Sequence, residues 1–218
     1  MYRHDIIREA LAQHVIGIAR TVDAASAVAT ARTMLTAGLR TVEVPLTNRE
    51  ALAAITELVR THPDAVIGAG TVLDEAAAVA AIQAGAAFLV APNVEPSVIR
   101  VAQRHGAAAI PGCGTATEIV RALEHGADAV KVFPASALSP TWISDIRAAL
   151  PQAPLVPTGG IAPEDVPAWV AAGAAACGIG SRITNGSPEE IRERVRAVLN
   201  RSALHQAGPP KLEEGVRT

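Results

Sequence analysis

A short β-branched run, a longer Ala- and Leu-rich amphipathic stretch, a glycine, then the next short run: this unit recurs along nearly all of the 218 residues. Such repetition leaves few folds open, because a strand followed by a helix returns to its sheet as a parallel strand through a right-handed crossover. The runs lie at 14–20, 40–46, 65–71, 87–92, 107–112, 129–135, 154–160 and 176–181. Helical periodicity fills 23–37, 49–61, 74–84, 95–104, 116–125, 140–150, 163–172 and 188–201, and a short helix at 3–12 precedes the first run. Gly38, Gly85, Gly106, Gly126 and Gly173 stand just past helix ends, where a left-handed residue frees the chain to turn back. Helix starts carry Asp74, Glu95-Pro96, Thr115 with Glu118, Ser139-Pro140, Pro163-Glu164 and Ser187-Pro188, as first turns prefer. The α/β pattern predicts one domain over 1–201, a single (β/α)8 TIM barrel with a short N-terminal helix, and a flexible tail over 202–218. An open doubly wound sheet is the alternative, but Ala19-Arg20-Thr21-Val22 follows the first run where a dinucleotide glycine fingerprint would stand.

Composition narrows the function. Half of the residues are apolar but only 2% are aromatic, so the core must be built from small and branched side chains. A formal net charge of −2 supplies no basic field for nucleic acid, and stacking platforms are nearly absent. Cys113 and Cys177 each end an apolar run and read as small buried hydrophobes, with no disulfide framework implied. The first residues are amphipathic and charged, unlike a signal peptide, and no apolar stretch of about eighteen residues is present to span a membrane. A cytoplasmic location is expected. The six histidines are scattered with no pair at zinc spacing, and His62, His105 and His125 fall at helix C-termini, where they complement the dipole; no metal or other cofactor is expected.

Two charged residues sit where charge is costly. Lys131 interrupts Ala129-Val130-Lys131-Val132-Phe133-Pro134, and Glu43 interrupts Thr41-Val42-Glu43-Val44-Pro45-Leu46. A lysine in an apolar strand is either paired or held partly neutral, and a neutral amine is a nucleophile. An inert Lys–Glu ion pair explains these two residues equally well taken alone. In a barrel, however, chemistry gathers at the C-terminal ends of the strands. There Arg20 closes the first run, Gly68-Ala69-Gly70-Thr71 the third, Ala91-Pro92-Asn93 the fourth and Pro111-Gly112-Cys113 the fifth. Thr158-Gly159-Gly160-Ile161 and Gly178-Ile179-Gly180-Ser181 close the last two, where glycine lets backbone N–H groups approach an anion such as phosphate.

Val42-Glu43-Val44-Pro45-Leu46, Ile67-Gly68-Ala69-Gly70-Thr71-Val72-Leu73, Ala91-Pro92-Asn93, Pro111-Gly112-Cys113, Val130-Lys131-Val132-Phe133-Pro134 and Gly159-Gly160-Ile161 together resemble the landmarks of the KDPG/KHG aldolase family, in order, over residues 14–185. The resemblance implies a barrel, generally homotrimeric, that cleaves a phosphorylated 2-keto-3-deoxy sugar acid to pyruvate and glyceraldehyde 3-phosphate through a lysine Schiff base. It places the Schiff-base lysine at Lys131 and the acid/base glutamate at Glu43. It assigns the substrate carboxylate to Thr71, and the phosphate to Gly160, Gly180 and Ser181 with Gly159 beside them. One departure stands out. Gluconate-type members carry an arginine four residues after the glutamate; here that place is Thr47, and the cation is found instead as Arg20. That arrangement resembles the branch of the family that works on the galactonate-derived acid. The rivals are an isomerase or synthase on the same scaffold, with Lys131 a mere cation, and a non-catalytic metabolite sensor.

Overall fold

A computed structural model describes residues 2–206. Ten helices and nine strands alternate among the described residues in the order α1 (Arg3–Leu11), β1 (Val15–Ile18), α2 (Ala24–Thr36), β2 (Thr41–Pro45), α3 (Ala51–Thr61), β3 (Val66–Gly70), α4 (Glu75–Gln83), β4 (Phe88–Val90), α5 (Pro96–His105), β5 (Ala108–Ile110), β6 (Gly112–Cys113), α6 (Ala116–Glu124), β7 (Val130–Val132), α7 (Pro140–Ala149), β8 (Leu155–Pro157), α8 (Val166–Ala171), β9 (Cys177–Ile179), α9 (Ser181–Thr184) and α10 (Pro188–Gln206). The boundary signals work locally. Asp74 accepts from the Ala77 N–H at 2.8 Å, and Glu118 reaches back to the Gly114 N–H at 2.8 Å, closing the start of α6. The five glycines past helix ends all have φ between +78° and +107°. The tail expected from residue 202 meets the last turns of α10, and its remainder, 207–218, lies outside the described residues.

Every ladder is parallel, but the strands do not close into the single eight-stranded barrel that the repeat predicts. Six strands form one sheet, in the order β5-β4-β3-β2-β1-β9, and β6-β7-β8 form a second. Proline accounts for both seams. On β5 and β6, odd-numbered residues turn towards β7: the Pro111 carbonyl accepts from the Lys131 N–H, and that of Cys113 from the Phe133 N–H. Pro111 therefore faces β7 without an N–H to donate, and the neighbouring Ala109 N–H is taken by the Asp128 carboxylate at 2.8 Å. On β8, Leu155 accepts from the Ala175 N–H, so Pro157, two residues on, faces β9 and has nothing to give. A lone bridge, Thr158 to Gly178, crosses that seam.

Side-chain alternation sorts the core into two layers. Val42, Val44, Val130, Val132 and Leu155 turn outwards and pack with the helices. Ile16, Val66, Phe88, Val90, Ala108, Ile110, Ala129, Val156 and Ala176 turn to the other face and pack with each other and with Ile6 and Ala10 of α1. Helix α1 thus covers the N-terminal ends of the strands. It is held there by Arg3 to Asp128 at 3.0 Å and Glu9 to Arg40 at 2.8 Å. No helix among the described residues is long and apolar enough to cross a membrane.

Candidate active site

Glu43 lies on β2 opposite Gly68 of β3, and Lys131 lies on β7 opposite Gly112 and Val156. Both point into the inner layer and both are buried, at 3% and 5% exposure. The carboxylate fits only because β3 lacks side chains beside it: a Cβ on Gly70 would stand 1.8 Å from Glu43 Oε1. Among the described residues that oxygen has no hydrogen-bond partner. Glu43 and Lys131 share the wall of a void of about 10 Å³ with Ile16, Val90, Ile110, Val156, Thr158 and Gly178, a space of the size that admits one water molecule. No ion pair joins them directly among the described residues, so the inert pair is not what the geometry contains.

Burial decides the protonation of both groups. Desolvation raises the Glu43 carboxyl above its ordinary value, against the pull of Lys131 and Arg20. Desolvation lowers the Lys131 ammonium below its ordinary value, with Glu43 acting against that shift and Arg20 adding to it. The Lys131 Nζ also lies 4.8 Å from the centre of the Phe133 ring, whose face offers the charged form some compensation. The outcome is an amine and a carboxyl whose titrations are drawn towards each other, which favours exchange of a proton between them.

Lys131 also borders a cavity of about 410 Å³ that opens at the C-terminal ends of the strands. Arg20, Gly159, Gly160, Gly180 and Ser181 all line it. Gly159 and Gly160 have φ of +98° and +83°, and side chains there would press on Phe133 and Ser136. Thr71 is in neither cavity's wall; it follows Gly70 with φ of +56°, a left-handed conformation held by the turn after β3. The sequence reading missed Arg182, Thr184 and Asn185, which complete the large cavity. Their signal was their place directly after Gly180-Ser181. Among the described residues no group of three or more His, Cys, Asp or Glu is placed to hold a metal ion.

Residues 4–198 match the family model for KDPG and KHG aldolase. The chain belongs to the KDPG and KHG aldolase family. It is 40% identical over 195 residues to the 2-dehydro-3-deoxy-6-phosphogalactonate aldolase of Escherichia coli (strain K12), covering 88% of this chain and 95% of that one. It is 39% identical over 158 residues to the 2-dehydro-3-deoxy-phosphogluconate aldolase of Treponema pallidum (strain Nichols), covering 72% of this chain and 74% of that one. A solved structure described as native KDPGal superposes with a TM-score of 0.83 at 34% identity, over 88% of this chain and 96% of that one.

Proposed function

We propose that this aldolase cleaves 2-dehydro-3-deoxy-6-phosphogalactonate to pyruvate and glyceraldehyde 3-phosphate through a Schiff base on Lys131. The observation that carries the chemistry is the shared void: Lys131 and Glu43 meet there, out of bulk water, while only Lys131 reaches the substrate-sized cavity. The neutral amine attacks the C2 ketone, water leaves, and the protonated imine draws electrons from the C3–C4 bond. Glu43 takes the C4 hydroxyl proton as that bond breaks, the aldehyde departs, and the proton returns to C3 of the enamine before hydrolysis frees pyruvate. Arg20 holds the substrate carboxylate, with Thr71 contributing from the adjoining turn. Gly159, Gly160, Gly180 and Ser181 receive the phosphate. The same reading carries a homotrimer and a cytoplasmic location.

Borohydride reduction in the presence of pyruvate tests the covalent step. A fixed three-carbon mass on Lys131 is expected, and its absence would leave only the cation or sensor rivals. The galactonate reading is supported by Arg20 in the cavity wall, Thr47 four residues after Glu43, and the identity to the galactonate aldolase. The nearly equal identity to the gluconate aldolase favours a second reading, 2-dehydro-3-deoxy-6-phosphogluconate. The two acids differ in configuration at C4, and kcat/KM on both, in one preparation, decides between them. A higher value on the galactonate-derived acid is expected.

The pH profile follows from the pair. With two protons, Lys131 is an ammonium and cannot attack; with one it can; with none, no acid remains to help water leave the carbinolamine. kcat/KM is therefore expected to trace a bell. Its acid limb lies above 4.5, the ordinary glutamate value, and its alkaline limb below 10.5, the ordinary lysine value. Glu43→Gln removes the anion that holds the amine's pKa up, so the pH at which pyruvate trapping becomes half-maximal should fall. An alkaline limb at or above the ordinary lysine value would mean that Lys131 titrates as a solvated amine.

A further inference from the structure

The large cavity has three cations in its wall, Arg20, Lys131 and Arg182, and no carboxylate. Arg20 is close enough to bias the titration of both Lys131 and Glu43. Arg182 follows Gly180 and Ser181 directly in the chain and lines the cavity beside them. Its side chain is exposed, and among the described residues it has no ion pair. On its far side Arg182 also borders a second cavity, of about 320 Å³, with Arg194, Arg201 and Glu164. Arg194 is committed to the Ile183 and Asn185 carbonyls, while Arg201 leaves a like charge behind Arg182. An exposed arginine without an ion pair among the described residues, in the wall of a cavity that holds no carboxylate, is placed to meet an anion in that cavity.

We propose that Arg182 is the cation that receives the substrate's phosphate and gives this enzyme its preference for phosphorylated over unphosphorylated acids. The inference rests on the aldolase reading above, and it fixes the direction in which the substrate lies. The carboxylate is at Arg20, the ketone at Lys131, and the phosphate at the mouth between the glycines and the Arg182 guanidinium. A planar, permanently charged donor adds charge-assisted hydrogen bonds to a site otherwise made of backbone and neutral side chains. Because the phosphate is remote from the reacting bond, its binding steadies the C3–C4 bond over the amine without touching the chemistry.

The test compares wild type, Arg182→Gln and Arg182→Lys on the phosphorylated acid and on its unphosphorylated counterpart, and titrates inorganic phosphate into each protein by calorimetry. Arg182→Gln is expected to lower kcat/KM on the phosphorylated acid by about ten- to a hundredfold. The unphosphorylated acid should lose nothing, and Arg182→Lys should recover part of the deficit. Inorganic phosphate should bind Arg182→Gln more weakly than wild type. Equal losses on both acids would overturn the proposal, as would an unchanged phosphate affinity. Borohydride trapping of pyruvate on each variant separates the two levels. If wild type is not trapped, the covalent reading has failed, while phosphate affinity still reports on Arg182 alone.

Discussion

Lys131→Ala is expected to reduce turnover on the order of 10⁴-fold or more while leaving a folded protein. No other group in the cavity wall can form a covalent imine: Arg20 and Arg182 remain guanidinium ions, and Glu43 lies behind the lysine. Stability should hardly suffer. The variant sheds a cation that burial disfavours, the space it leaves joins an open cavity, and Glu43 can stay protonated. Tm is expected to fall by no more than about 5 °C. Lys131→Arg keeps the charge and removes the nucleophile. Should that variant retain near-normal turnover, a simple electrostatic role would replace the Schiff base.

The second large effect comes from a residue with no side chain. Gly70→Ala would set a methyl 1.8 Å from Glu43 Oε1 and 2.5 Å from its Cδ, so the carboxyl must swing away from the void it shares with Lys131. The three atoms nearest the methyl all belong to the Glu43 side chain, which can move while the sheet persists. Proton transfer is what fails: kcat is expected to drop by about 10²- to 10⁴-fold, the usual contribution of a positioned acid or base. Pyruvate trapping on Lys131 should continue, more slowly, because the amine remains. Gly112→Ala provides the contrast, since its methyl would meet the Pro92 backbone at 2.3 Å and should cost folding rather than one catalytic step. If Gly70→Ala kept full kcat with a displaced Glu43, the acid/base role of that carboxyl would have to be given up.

Much of this was legible in the chain. A charge in an apolar strand declares itself, and the period of two separates the faces of a strand, but that Lys131 and Glu43 both turn inwards is seen only in the structure. The helix starts at Asp74 and Thr115 follow from local capping alone. What escaped was everything that depends on which neighbour a residue faces. Pro111 and Pro157 are visible in the sequence, yet whether a proline breaks a ladder depends on the direction of its missing N–H, which register settles. The expected barrel was therefore divided at two seams. Thr71 was assigned to the substrate carboxylate by the resemblance alone; its positive φ, set by the turn after β3, is not written in its residue type. Arg182 was overlooked because nothing local separates an arginine facing a cavity from one facing solvent.

Helix α1 gives the inner chamber a floor, with Ile6 and Ala10 pressed into it and two ion pairs fastening the edges. The chamber keeps the carboxyl behind the amine. On the proposed chemistry, a sugar acid joined to Lys131 in the large cavity stands in front of the carboxyl. The hydrogen that Glu43 has just accepted is then the nearest one for the nascent methyl group of pyruvate, and isotope from the solvent can compete only after the aldehyde has gone.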